Sequence, residues 1–140
     1  MTLGEVLARV LADQRRHGEL VRGPAGPGDV AAVRAALSEE FGADLPDAYT
    51  EFLQHGDGLD HDGLVLYGSA SEPGLVEMNR VWREAPGRDD VLVLGDTDMD
   101  LLVVALDGTA PRLLDKVGGD VVETFPDVTM ALVELLTARL

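Results

Sequence analysis

Apolar positions recur at helical spacing in five stretches of the chain, which predicts five helices. A T-x-x-E capping box formed by Thr2 and Glu5 opens the first helix, which is predicted to end near Gly18. Asp29 is the predicted N-cap of the second helix, and Pro46 lies in the first turn of the third. The apolar positions of these helices are Leu3, Val6, Leu7, Val10 and Leu11, then Val30, Val33, Leu37 and Phe41, then Tyr49, Phe52 and Leu53.

Two further helices are predicted in the second half of the chain. The fourth runs over about residues 73–84, and its spacing places Trp82 on the face that packs against the sheet. Asp127 caps the last helix. The apolar positions of that helix are Val128, Ala131, Leu132, Leu135 and Leu136.

Short apolar runs bounded by Gly, Pro and Asp predict strands. The five predicted strands are residues 64–67, 91–94, 101–106, 112–114 and 121–124. Asp107-Gly108 and Gly118-Gly119 predict turns between the later strands. Consecutive strands joined by short turns pair antiparallel. The predicted fold class is therefore α+β, a single domain over residues 1–140 with a mainly antiparallel sheet of about five short strands flanked by about five helices.

The charge balance changes the expected partners. The chain carries 11 Lys and Arg against 26 Asp and Glu, a formal net charge of −15. Nucleic acids and anionic membranes should be repelled, whereas a basic protein should be attracted. The alternative is that the acidic surface only aids solubility. Because the sequence shows neither an apolar run that could span a bilayer nor a secretory signal, a cytoplasmic protein is expected.

Two acidic segments are candidates for metal binding. Asp96, Asp98 and Asp100 have the spacing that begins a calcium loop, but the sixth and twelfth positions are Leu101 and Asp107 instead of Gly and Glu. The alternative is an acidic turn whose carboxylates accept backbone N–H bonds. The second segment contains His55, Asp57, Asp60, His61 and Asp62. It could bind a divalent metal ion or support acid–base chemistry, and the favoured interpretation is a solvated or partner-facing loop.

Catalytic motifs are lacking. The chain contains no cysteine, no G-x-S-x-G element and no phosphate-binding glycine motif. We therefore expect a protein without enzymatic activity, resident cofactor or metal. Whether the two acidic segments meet in space, and whether Tyr67 and Trp82 fill the core or line a surface, stays open at this level.

Three segments together resemble the SUKH superfamily, and its YrhA-like branch in particular. They are LPDAYTEFLQHGDGLDHDGLVLYG, LVEMNRVWRE and VLVLGDTDMDLLVVALDGTAPRLLDKVGGDVVETF, which cover about half of the chain. The superfamily includes the yeast Smi and Knr regulators and many bacterial immunity proteins. YrhA-like sequences often carry Asn in the first segment's turn, where this chain has Asp57, Asp60 and Asp62.

The resemblance implies a bacterial immunity protein that binds and neutralises a cognate toxin. With the acidic composition, it suggests a basic toxin as the partner. The expected charged contacts are Asp57, Asp60, Asp62, Asp96, Asp98 and Asp100, and the candidate anchors are Tyr67 and Trp82. The alternatives are a regulatory or scaffold protein of the same fold that binds an endogenous partner, and a divalent-metal-binding protein.

Overall fold

The computed structural model describes residues 1–140 and contains five helices and six strands. The helices are α1 (Leu3–Arg16), α2 (Pro27–Phe41), α3 (Asp47–His55), α4 (Leu75–Trp82) and α5 (Val128–Thr137). The strands are β1 (Leu59–His61), β2 (Leu64–Leu66), β3 (Val91–Asp96), β4 (Asp100–Ala105), β5 (Arg112–Asp115) and β6 (Val121–Thr124). None of the five helices is long and apolar enough to cross a lipid bilayer.

The six strands form one antiparallel sheet in which each strand pairs with its neighbours in the chain, in the order β1 to β6. The four central residues of β4 are buried, as are the first five of β3, so both faces of the sheet centre are covered. One apolar cluster of 32 buried residues joins the sheet to the helices. The predicted α+β class and single domain are confirmed.

The prediction of about five strands is short by one, because β1 lies in a segment whose composition predicts a turn. Leu59 and His61 are buried and Asp60 between them is exposed, which is the alternation of a half-buried strand. Asp62 and Gly63 make the turn to β2 with φ angles of 47° and 79°. Positive φ at both central residues is the geometry of a type I′ hairpin.

Two of the predicted helix caps are confirmed and one is wrong. The hydroxyl of Thr2 accepts a hydrogen bond from the N–H of Glu5, and the carboxylate of Asp127 accepts one from Met130. Asp29 is not the N-cap of α2. That helix begins three residues earlier than predicted, at Pro27 with Gly26 as its N-cap, because proline is preorganised for the first helical position and has no N–H that needs a partner.

The two edges of the sheet differ. At β1, the side-chain amide of Gln14 on α1 donates to the carbonyl of Asp60 at 2.9 Å, and the carboxylate of Glu19, beyond α1, lies 3.9 Å from Nδ1 of His61. At β6, all four residues are exposed. The first edge is therefore covered by the protein itself, and the second is bare.

Candidate functional site

Three hairpin turns lie at the same end of the sheet and contact one another. They are residues 62–63 between β1 and β2, residues 97–99 between β3 and β4, and residues 116–120 between β5 and β6. A Cβ atom at Gly63 would lie 3.2 Å from Oδ1 of Asp98, so the first two turns are in contact. The N–H of Lys116 donates to the carbonyl of Met99 at 3.0 Å, which joins the second turn to the third. We call these three turns the turn surface.

Carboxylates dominate the turn surface. Asp62, Asp98 and Asp120 are exposed, one on each turn. Asp60 is exposed on the adjacent strand β1, and Asp100 is half-buried at the start of β4. Lys116 is the one cation within the three turns, and its ammonium is paired with the carboxylate of Asp96 at 3.1 Å. Two arginines from outside the turns also reach them, because Arg139 donates to the carbonyl of Asp62 and Arg88 donates to that of Lys116. The net negative charge of the turn surface therefore depends on the carboxylates of the flanking strand residues.

Two apolar side chains project from the same turns. Met99 is 69% exposed and Val117 is 97% exposed, and the backbone bond between Met99 and Lys116 keeps the two turn tips together. Exposed apolar side chains contribute no burial free energy to the folding of the isolated protein. The sequence pattern does not single these residues out, because a single Met or Val beside acidic residues does not indicate whether its side chain is buried or exposed.

Asp115 illustrates how the backbone of the turns stabilises negative charge. Its carboxylate accepts hydrogen bonds from the N–H groups of Gly118 at 2.7 Å and Val117 at 2.8 Å. These bonds, the one from Gly118 first, lower the pKa of Asp115. The carboxylate is thus held in its ionised form next to Asp100, which faces it across the β4–β5 pair.

Asp57 does not belong to the turn surface, which corrects the expectation that it is a charged contact. The residue is 5% exposed, and its carboxylate accepts four hydrogen bonds, from the backbone and hydroxyl of Ser69 and from the backbones of Ala70 and Ser71. Burial raises its pKa, but the bonds from Ser69, Ala70 and Ser71 together outweigh burial and hold the pKa below its usual range. Asp57 therefore organises the loop after β2.

Tyr67 is fully buried and cannot serve as an anchor for a partner in this structure. Its hydroxyl donates to Oδ2 of Asp96 at 2.5 Å and accepts from Nε1 of Trp82 at 2.9 Å. Burial, followed by the bond to Asp96, raises the pKa of Tyr67. Asp96 also forms an ion pair with Lys116. Its negative charge is therefore largely compensated within the protein.

Trp82 is half-buried at the end of α4 and packs against the core, in agreement with its predicted contact with the sheet. The ammonium of Lys116 lies 5.9 Å from the centre of its ring. Trp82 therefore contacts the turn surface through Lys116 and is joined to Asp96 through the hydroxyl of Tyr67. Only part of its ring is exposed to solvent.

The role of Asn79 is a further feature that the sequence pattern does not indicate. This buried side chain on α4 accepts from the N–H of Val93 and donates to its carbonyl, both at 2.8 Å. On the β2 side of β3 it thereby replaces a strand partner at Val93, since β2 pairs only with Gly95 and Asp96, whereas β4 pairs with Val93 on the other side. The interaction fixes α4 on β3, and so fixes Trp82 beneath the turns.

The metal-binding hypotheses gain no geometric support. No three His, Cys, Asp or Glu side chains converge on a position where they could hold a metal ion. His55 is exposed at the end of α3, whereas His61 is buried on β1. In the turn 97–99, the hydroxyl of Thr97 accepts from the N–H of Asp100 at 3.1 Å, so this hydroxyl closes the turn and the carboxylates do not.

Comparison with known proteins establishes the fold alone. No protein-family model matches the sequence, and no curated protein matches it. A crystal structure of a protein from Pseudomonas syringae pv. tomato is similar, with a TM-score of 0.67 and 15% sequence identity. The similarity covers 96% of this chain and 98% of that one, so the whole α+β domain has a structural counterpart.

Proposed function

We propose that this protein is a non-enzymatic recognition module that binds a basic protein through the turn surface. The observation that carries the proposal is the contact between Asp98 and Gly63, because it unites the acidic turns of two hairpins into one negative surface. The exposed Met99 and Val117 add apolar area at its centre.

The physical chemistry of association supports this assignment. A surface of one charge sign steers an oppositely charged partner and raises the association rate, and the effect weakens as salt rises. Charge raises the association rate more than the affinity, so a few buried anchor residues must supply most of the binding free energy. Met99 and Val117 are the candidate anchors, in place of Tyr67 and Trp82.

The resemblance of the sequence to the SUKH superfamily suggests a more specific role, that of an immunity protein. A toxin that acts on nucleic acid presents a basic cleft to the phosphate backbone. An acidic domain with apolar tips could occupy such a cleft and block it. We propose this toxin-neutralising role for the turn surface, with Asp62, Asp98 and Asp120 as the charged contacts.

Three baits test the binding proposal in the native lysate. They are the wild-type protein, a turn variant (Asp62→Asn, Asp98→Asn, Asp120→Asn) and a helix variant (Asp29→Asn, Glu39→Gln, Glu51→Gln) with the same change in net charge. The helix variant alters exposed residues of α2 and α3, outside the turns. We expect the wild type and the helix variant to retain the same basic protein at low salt and to release it as salt rises, and the turn variant to lose it. Equal retention by all three baits, or no basic protein on the wild type, would contradict the proposal.

A second experiment separates the immunity role from a regulatory or scaffold role. The captured protein is expressed in a heterologous host with and without this chain. Growth arrest that is relieved by the wild type and not by the turn variant would support immunity. Normal growth in the absence of this chain would point to an endogenous partner instead.

A further inference from the structure

Strand β6 is an unusual sheet edge because it is exposed on both faces and unpaired on one side. Its residues Val121, Val122, Glu123 and Thr124 are all exposed, with Val121 at 52% and Val122 at 55%. β-branched residues favour strands because they pack on a pleated surface, yet about half of each of these two valines is open to solvent. Natural proteins commonly cover such edges or protect them with charged residues, Pro or β-bulges, and of these devices β6 has one carboxylate, Glu123, and one bulge.

The backbone of β6 presents free hydrogen-bonding groups toward solvent. Phe125 donates its N–H to the carbonyl of Pro111 at 3.0 Å, which makes these two residues a hydrogen-bonded pair. Pair types alternate along an antiparallel ladder, so the next pair, Arg112 and Thr124, is of the type without mutual hydrogen bonds. The N–H and the carbonyl of Thr124 therefore point away from β5, to the open side of the edge.

The bulge in β6 changes the direction of its apolar side chains. Leu113 pairs with Glu123 and Leu114 pairs with Val121, so Val122 is the extra residue. A bulge bends the strand and re-aims the side chains beside it. It lies immediately after the turn 116–120, which makes Val121 and Val122 continuous with the turn surface.

The charges around β6 favour one kind of occupant. Residues 120–127 contain the exposed Asp120, Glu123 and Asp127 and no cation, and the neighbouring strand adds one half-buried cation, Arg112, opposite Thr124. A second copy of this chain would bring its own acidic edge, with a net charge of −15, against this one. An extended segment that alternates basic and apolar residues would meet both the carboxylates and the valines.

We propose that β6 is a docking edge onto which the protein partner adds a basic, extended segment as a seventh strand. This inference rests on the proposed function and extends it, because it names how the partner binds and where. The turn surface attracts the partner, and the backbone of β6 gives the attachment its direction and register. Strand addition of this kind derives affinity from main-chain hydrogen bonds and specificity from alternate side chains.

The probe is a synthetic peptide of about eight residues in which Lys and Val alternate. It is titrated into the ¹⁵N-labelled full chain, together with a matched peptide whose backbone is N-methylated on alternate residues. We expect saturable shifts at residues 121–124 with a Kd of about 1 mM or tighter and slower hydrogen exchange of the Thr124 N–H. The methylated peptide should bind at least about tenfold more weakly, because it cannot donate the same bonds.

Two variants test the same bonds from the protein side. Thr124→Pro removes the outward N–H and should weaken binding at least about tenfold, while Thr124→Ala keeps the N–H and should bind like the wild type. If Thr124→Pro fails to fold, the methylated peptide still tests whether backbone hydrogen bonds to β6 hold the peptide.

The results that would overturn the docking edge differ from those that would overturn the proposed function. Absence of shifts at residues 121–124, or shifts confined to the turns, would remove β6 from the interface and leave the bait experiment untouched. Equal binding of the methylated peptide would also overturn the inference. Dimers of the free protein that dissociate in Thr124→Pro would assign this edge to a second copy of the chain and overturn the choice of occupant.

Discussion

The carboxylate of Asp98 lies against the backbone of Gly63, where a Cβ atom would be only 3.2 Å from Oδ1. Gly63 has a φ of 79°, so the hairpin turn also favours glycine for its backbone conformation. The two residues belong to different hairpins, and their contact converts two acidic turns into one surface. The proposed binding of a basic partner depends on that contact.

Replacing Asp57 by Asn should destabilise the protein by about 1.5–3 kcal/mol, the range for hydrogen bonds to a charged group. The carboxylate accepts four hydrogen bonds from Ser69, Ala70 and Ser71, whereas an amide has one acceptor oxygen and places an NH₂ group against the remaining donors. Urea unfolding measures the change. Asp60→Asn, on the exposed neighbour, serves as control and should stay within about 0.5 kcal/mol of the wild type. Equal effects of the two changes would refute the role of Asp57.

The contribution of Asp57 should also depend on pH. Its pKa is lowered in the folded protein, so folding favours the ionised form. The stabilisation is present above the unfolded pKa of about 3.9 and is lost as pH falls through the lower folded pKa. We therefore expect the difference in unfolding free energy between the wild type and Asp57→Asn to be largest near neutral pH and to shrink in acid. A difference that grows as pH falls would contradict this sign.

Replacing Tyr67 by Phe should destabilise the protein by about 1–3 kcal/mol, because Nε1 of Trp82 loses its partner and Asp96 loses a donor. Unfolding can be followed by the fluorescence of Trp82, the single tryptophan. The single variant Trp82→Phe and the double variant Tyr67→Phe, Trp82→Phe complete a double-mutant cycle, in which unfolding is monitored by circular dichroism. The expected coupling free energy is about 0.5 kcal/mol or more. Additive effects would show that the hydroxyl does not link the two side chains.

The sequence predicts this fold well where local signals agree. Thr2 and Asp127 cap their helices as expected, and Asp107-Gly108 turns the chain between β4 and β5. The prediction fails at β1, although Asp62-Gly63 is itself a strong hairpin signal. The dense Asp and Gly residues around it favour a turn over a three-residue strand, since strand propensity depends strongly on context.

The candidate site is harder to predict because its defining features are non-local. Aspartate is usually exposed, so the sequence predicts an exposed Asp57. In the structure Ser69 and its neighbours bind the carboxylate and bury it. Asp96 loses its free charge only because Tyr67 and Lys116 meet it from other strands. Spacing along the chain does not report such contacts.

The measurement that tests the central claim most directly is the association rate of the captured protein with the wild type, the turn variant and the helix variant as ionic strength rises. We predict that the wild type and the helix variant associate fast at low salt and slow by about tenfold or more at moderate salt. The turn variant should associate slowly throughout, with little dependence on salt. A turn variant that matches the wild type in rate and in salt dependence would show that the acidic turns are not the binding surface.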